Sequence, residues 1–274
     1  MNVLGKYKEF PAALQALTKL DQDLQKEGHS LFDQLSLFLQ DDDYSYDVTP
    51  YDVIPFASIG ADGIHYGFLT DFGRVQQLDE AFIVCVSPMN FGNHVKIIAR
   101  NLAEFIDVIL TLNDASVIEN LLGYSKKEEY QEFSDWVTKE ATADPEFSAQ
   151  SAYVCNRIQQ ELNRKPLDDL YEYVEVTVRE QRKKVASLPT FDTLGVVSDD
   201  RPNQERFSMN RDSTINLKDL EKFFDRNDEA TKLATIRNLQ YFYLIQEDDE
   251  LKRCVKAEML KMGLTDEVNR MDMT

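Results

Sequence analysis

Apolar residues recur at every third or fourth position between residues 10 and 24, which predicts an amphipathic helix. Gly28 follows this helix and ends it. Ser30 is a good N-cap for a second helix, whose apolar positions continue to Leu39. We expect this second helix to stop at the acidic run of Asp41, Asp42 and Asp43, because anions at a helix C-terminus oppose its dipole.

After Tyr51 the hydrophobic period becomes that of strands. Short apolar or alternating segments are separated by Gly, Asp, Asn and Pro, the residues that favour turns. Four strands are therefore predicted, at residues 53–58, 64–70, 81–87 and 95–99. Asn101 then caps a helix that begins at Leu102. This order of elements predicts an α+β fold in which a mainly antiparallel or mixed sheet is flanked by helices.

Beyond residue 112 the pattern is mostly helical. Predicted helices lie at residues 114–122, 145–163, 216–224, 228–246 and 248–262. Ser125 and Glu128 form a capping box for one more helix. Residues 167–185 are assigned to a helix, although their valines alternate as in a strand. Residues 188–197 are expected to be extended, and residues 198–212 form a polar loop.

Composition changes at the same point in the chain. The first 112 residues contain 23 charged residues and seven of the ten glycines, whereas the remaining 162 contain 56 charged residues and three glycines. Because glycine marks the tight turns between strands, the sheet is expected in the first part. We therefore predict two units, an α+β domain at residues 1–112 and a mostly helical extension or second domain at residues 113–274.

The net charge argues against nucleic acid and anionic lipid as partners, and the cysteines indicate a cytoplasmic protein. Lys and Arg number 30 against 49 Asp and Glu, which gives a formal net charge of -19. Such a chain repels nucleic acid and anionic lipid unless it carries a local basic patch, and the sequence shows none. Three cysteines far apart predict reduced thiols, and no apolar stretch reaches membrane-spanning length. A cytoplasmic protein that binds neither membrane nor nucleic acid is expected.

Motifs for catalysis are missing from the sequence. The three histidines have no metal-ligand spacing, and no nucleophile elbow, phosphate loop or dinucleotide fingerprint occurs, so neither a metal nor a cofactor is predicted. His65 is expected to be a half-exposed strand residue. Cys85 lies in an apolar run, where burial favours an inert thiol over a nucleophile. These features favour a protein that is not an enzyme.

The most unusual surface candidate is the acidic and aromatic stretch at residues 40–51, which contains no positive charge. It has two interpretations, a solvated loop between helix and sheet or a docking surface. In a docking surface the tyrosines would supply contact area and the carboxylates would steer a partner. The candidate partner-binding residues are Asp41, Asp42, Asp43, Tyr44, Tyr46, Asp47 and Tyr51.

Three segments of the first 112 residues also carry a family resemblance. They are IPFA at residues 54–57, DGIHYGFL at 62–69 and KIIARNLAEF at 96–105, the last of which fits an A-x-x-hydrophobic-x-x-Phe helix. With these segments the chain resembles the SUKH superfamily, the Smi/Knr-like proteins. The tryptophan that members often carry before the glycine turn is absent here, and residues 113–274 carry no resemblance.

This resemblance implies an α+β domain without catalytic activity. Many bacterial members are proposed immunity proteins that neutralise toxins, and fungal relatives are interaction hubs; no family motif fixes the binding face. The leading hypothesis is therefore a cytosolic protein-binding module of the immunity type, whose acidic balance suits a basic toxin. Two alternatives stay open: a structural or regulatory protein that self-associates through its helical region, and an enzyme with an unrecognised site. The oligomeric state is left open.

Overall fold

The computed structural model describes residues 3–39 and 45–273. Its α+β architecture consists of a five-stranded antiparallel sheet with flanking helices, followed by a mostly helical region. The elements are, in chain order, α1 (Ala12–Lys26), α2 (Leu31–Leu35), β1 (Phe38–Leu39), β2 (Val53–Ser58), β3 (His65–Leu69), β4 (Phe82–Val86), β5 (Val95–Ala99), α3 (Leu102–Leu112), α4 (Lys127–Ala141), α5 (Pro145–Leu162), a π-helical segment (Glu172–Val178), α6 (Arg179–Val185), β6 (Ala186–Leu188), β7 (Val196–Val197), α7 (Leu217–Arg226), α8 (Glu229–Tyr241), α9 (Asp249–Lys261) and α10 (Thr265–Met271).

The sheet is a meander in which each strand pairs with the next one along the chain, in the order β1-β2-β3-β4-β5. All four predicted strands are confirmed. The strands β2, β3 and β4 are buried on both faces, whereas Lys96 and Ile97 of β5 are half-buried. Glycine is required at position 67 because β3 lies too close to β2 there for a side chain. A Cβ atom built there would lie 2.4 Å from Val53 Cγ1 and 3.0 Å from the carbonyl oxygen of Ile54.

The second predicted helix is wrong beyond Leu35. Ser36 adopts a left-handed conformation with φ of 51°, and the amide of Leu37 donates back to the carbonyl of Leu31, which closes the helix. The next two residues form β1, whose Phe38 lies opposite Ser58 of β2. A local turn therefore ends this helix, and the acidic run at 41–43 lies outside the described residues.

The helix α3 follows the sheet as predicted. The side chain of Asn101 accepts a hydrogen bond of 2.9 Å from the amide of Glu104 and so caps the helix. Phe105 packs its ring 4.8 Å from Tyr66 and 5.7 Å from Phe56 across the buried face of the sheet. These aromatic contacts pack α3 against the sheet.

The mostly helical character of the C-terminal region is confirmed, with corrections in detail. Of the predicted helix at 167–185, residues 170–185 are helical and the first three are not, and the turns at Glu172–Val178 are of the π type. The predicted helix at 114–122 is a 3₁₀ segment, Ile118–Gly123. The capping box is shifted by one residue, since Glu129 accepts the amides of Ser125 and Lys126.

Two further differences concern the end of the chain. The helix predicted at 228–246 ends at Tyr241, because Tyr243 takes a left-handed φ of 62°. A final helix, α10, follows α9 and had no counterpart among the predicted elements. None of the helices in the described part of the chain combines the length and the apolar character that crossing a bilayer requires.

Buried apolar residues form two clusters. The first surrounds the sheet and continues through α4, α5 and the π-helical segment to Leu194. The second is built from α7 to α10 together with Tyr51 and Phe72, which come from the N-terminal part of the chain. The domain boundary at residue 112 stays a prediction. Each of the two clusters contains residues from both sides of it.

Candidate functional site

Two exposed phenylalanines lie beside the tip of the β2–β3 hairpin. Phe32 on α2 is 45% exposed and Phe38 on β1 is 48% exposed, and their rings meet edge to face with centroids 5.8 Å apart. Phe32 also lies against Gly60 in the hairpin turn, where a Cβ atom would come within 2.9 Å of its ring. The pairing of Phe38 with Ser58 places the second ring on the same edge of the sheet.

Tyr46 lies against the same turn, at Gly63. Its ring lies so close to Gly63 that a Cβ atom there would be 2.5 Å from the tyrosine Cζ, and Gly63 has a positive φ of 69°. The ring also stacks on His65, with centroids 5.9 Å apart, while 36% of Tyr46 stays exposed. Glycines at the turn therefore let exposed aromatic rings lie against the backbone.

Three exposed carboxylates are next in sequence to residues of the rings and the turn. Asp33, Asp47 and Asp62 are exposed neighbours of Phe32, Tyr46 and Gly63 in the sequence. We refer to Phe32, Phe38 and Tyr46 with Asp33, Asp47 and Asp62 as the acidic aromatic surface. Between Lys26 and Arg74 the chain contains nine Asp and Glu and no Lys or Arg, so every aromatic ring of this surface comes from a stretch without a basic side chain.

The structure places the predicted site residues differently from one another. Tyr46 and Asp47 belong to the acidic aromatic surface, and the carbonyl of Asp47 accepts hydrogen bonds of 3.1 and 2.6 Å from Gln240 and Gln246. Tyr51 is buried in the second cluster, where burial raises the pKa of its hydroxyl. Asp41, Asp42, Asp43 and Tyr44 lie outside the described residues.

Sequence reasoning missed Asp33 and Asp62 of this surface, and also its two phenylalanines, Phe32 and Phe38. Both were counted among the apolar positions of one helix, which assigned them to a packing face. The sequence signal that could have found them is the length of the stretch without Lys or Arg, which extends well beyond residues 40–51.

The expectation of a half-exposed His65 is wrong, because both faces of the sheet are covered. The side chain is fully buried, with Nε2 3.0 Å from the Thr49 hydroxyl and Nδ1 2.7 Å from the Gly63 carbonyl oxygen. Burial lowers its pKa to about 4. His65 therefore ties the segment before β2, which carries Tyr46, to the hairpin turn at Gly63.

The predicted burial of Cys85 is confirmed. Its thiol is fully enclosed on β4, between β3 and β5, and burial raises its pKa. A thiol held in the protonated form and out of contact with solvent is a poor nucleophile. Its inertness in solution stays a prediction.

A cluster of buried charges lies at the end of β2 and β3 away from the hairpin turn, and it joins the N- and C-terminal parts. Arg237 on α8 contacts Asp52 at 2.5 Å and Asp192 at 3.2 Å. Arg182 on α6 donates two hydrogen bonds, of 2.8 and 2.7 Å, to the carboxylate of Asp71. These two pairs fix the segments that precede β2 and follow β3, at the end of the two strands opposite the hairpin turn.

Among the described residues, no group of three or more His, Cys, Asp and Glu side chains is arranged to hold a metal ion. The acidic aromatic surface presents aromatic contact area and negative charge, which are means of recognition.

The chain matches no model of a known protein family, and a search of curated proteins finds no match either.

Proposed function

We propose that this protein is a non-catalytic binding module that captures a basic protein partner on its acidic aromatic surface. The observation that carries the proposal is the pair of exposed phenylalanines, Phe32 and Phe38, inside a stretch of 47 residues without Lys or Arg. Exposed aromatic rings grouped on one face are typical of protein interaction sites.

The two kinds of side chain would act at different stages of binding. Carboxylates at the rim attract a basic partner over a distance and raise the association rate, which falls when salt screens them. Aromatic rings that become buried in the complex then slow its dissociation. The rigid turn under Tyr46 keeps the rings in place before binding, so little conformational entropy is lost on association.

The SUKH resemblance supports the same proposal and extends it to a biological role. Under that assignment the protein acts in the cytoplasm as an immunity protein, and the basic partner is a toxin that it neutralises. The formal net charge of -19 is the property of the whole chain that favours such a partner.

Site-specific photo-crosslinking tests the proposal in the organism that produces the protein. A photoreactive phenylalanine analogue replaces Phe38 in one variant and Leu260 in another. Leu260 is a matched control, since it is 49% exposed but lies on α9, a helix of the C-terminal region away from the hairpin turn in the sequence. We expect one partner to be crosslinked at Phe38 and not at Leu260.

The recovered partner is then purified and its binding kinetics are measured. Phe32→Ser with Phe38→Ser should raise the dissociation rate by roughly 10- to 100-fold, because truncation of aromatic anchors typically costs a few kcal/mol. Leu260→Ser should leave the rate unchanged. Equal crosslinking at both positions, or a partner that binds the double variant as tightly as the parent protein, would overturn the proposal. Crosslinks between two copies of the chain would instead support self-association.

A further inference from the structure

A cleft of about 590 Å³ opens on the far edge of the sheet from the acidic aromatic surface. It lies between the edge strand β5, the π-helical segment with α6, and the β6–β7 hairpin. Val95, Val174, Val178 and Ala186 contribute apolar wall. The volume falls within the range of roughly 300–1,000 Å³ that small-molecule sites occupy.

The cleft is basic although the protein is strongly acidic. Its lining includes four basic side chains and a single acidic one, Glu175. Lys96 and Arg179 both form an ion pair with this buried carboxylate, so two cations share one anion. The pKa of Lys96 is lowered by burial and also by Arg179, as expected where positive charge is in excess.

The excess charge reaches solvent at the mouth of the cleft. Arg179 and Lys183 are one turn apart on α6, with side chains 58% and 60% exposed. Lys183 pairs with Glu180 at 2.7 Å and Arg179 pairs with Glu175 at 3.0 Å. Because Lys96 shares Glu175, these three cations face two carboxylates and one net positive charge remains. Arg182, which also lines the cleft, is instead directed to Asp71 and contributes no excess charge.

The π-helical segment shapes this wall. In a π turn each backbone hydrogen bond spans one residue more than in an α-helix. Such turns are rare in proteins, and those that occur are often found at functional sites. In this segment Val174 and Glu175 both line the cleft, so an apolar side chain and the shared carboxylate are adjacent there. The opposite wall ends at Gly123, where a Cβ atom would have no heavy atom within 4 Å.

From this arrangement we infer that the cleft binds a small organic anion that has an apolar body and one acidic group. The body lies against Val174, Val178 and Ala186, and the acidic group lies between Arg179 and Lys183. This site is separate from the protein-binding surface and does not depend on it. Its ligand carries the charge opposite to that of the proposed protein partner.

Two fluorescent probes with the same ring system test the inference, anilinonaphthalene sulfonate as the anion and N-phenylnaphthylamine as its neutral analogue. Binding to the folded protein is followed by fluorescence titration. We expect the sulfonate to bind at one site per chain. The double variant Arg179→Gln with Lys183→Gln should weaken sulfonate binding by about tenfold and leave binding of the neutral probe unchanged, because only the charged contacts are lost.

A second variant and a charge control make the test decisive. Gly123→Leu extends a side chain into the cleft and should weaken both probes by about tenfold or more. Lys184→Gln with Lys218→Gln changes the net charge by the same amount at exposed positions outside the cleft lining, and it should change neither. If Gly123→Leu leaves sulfonate binding intact, or if the charge control weakens it as much as the Arg179 and Lys183 variant does, the inference is wrong.

Discussion

Removing the guanidinium of Arg237 should destabilise the protein more than any single surface change. Arg237 is buried together with both of its partners, Asp52 and Asp192. Its guanidinium also lies over the Phe72 ring, 4.9 Å from the centroid. Substitution by Met keeps much of the side-chain volume but leaves two carboxylates without their shared cation. Breaking a buried pair in this way costs about 3–5 kcal/mol, so we expect Arg237→Met to lose that much stability at about pH 8.

The loss should depend on pH in a defined direction. Burial raises the pKa of Asp52 above its usual value, and Arg237 opposes this rise. Without Arg237 the pKa rises further. An acid whose pKa is raised by folding contributes stability at low pH and loses it as pH rises through the folded pKa. Arg237→Met should therefore be less destabilised at about pH 5 than at about pH 8, because protonation of Asp52 then removes the unpaired charge.

Urea unfolding followed by far-ultraviolet circular dichroism measures these effects. The double variant Arg237→Met with Asp52→Asn should recover about 1–2 kcal/mol at the higher pH, since one buried charge is gone. Lys218→Met is the control, an exposed residue for which a change within about 0.5 kcal/mol is expected. A loss below about 1 kcal/mol in Arg237→Met, or the same loss at both pH values, would refute this account.

The other predictions concern single groups. Thiol reagents should label the partly exposed Cys254 in the native protein and reach Cys85 only in denaturant; rapid native labelling of Cys85 would contradict its burial. Gly67→Ala should cost about 1–3 kcal/mol in urea unfolding, and an unchanged midpoint would mean that β2 and β3 separate easily. Wild-type stability relative to His65→Gln should fall as pH drops from 6.5 to about 4, because the unfolded state takes up a proton that buried His65 refuses; parallel pH curves would exclude this. Replacing Asp41, Asp42 and Asp43 with Asn should slow association with a basic partner, measured by stopped flow at low salt, more than it speeds dissociation; an unchanged association rate removes these residues from steering.

The two-residue strand β1 was assigned to a helix, but the other four strands were predictable because they carry local information. Each is a short apolar run bounded by turn residues, and Asn101 marks the start of α3 without reference to anything distant. The end of α2 was not predictable in this way. Ser36 and Tyr243 adopt left-handed conformations that their residue types do not favour, so tertiary packing decides where those two helices stop.

The candidate surface could be predicted only in part for a similar reason. The charge of a segment is counted from its residues without knowledge of the fold, so the acidic stretch was visible in the sequence. Exposure is not local: Tyr51 is buried because α10 packs over it, with Arg270 donating to its carbonyl at 2.6 Å from 219 residues away. Phe32 and Phe38 are exposed because nothing in the described chain covers the hairpin edge there. The cleft depends on a π turn, for which the sequence pattern gives no period.

The pairing of Asp52 with Arg237 has a consequence for how the chain is made. The two residues are 185 positions apart, and ribosomes add roughly 5–20 residues per second. For roughly 10 to 40 s after Asp52 is synthesised, therefore, its cation does not yet exist. All five strands are synthesised well before then, since β5 ends at Ala99. A sheet that forms before α8 is made would leave the carboxylate of Asp52 without its cation and in contact with water, and it is α8 that brings Arg237 to this end of the sheet.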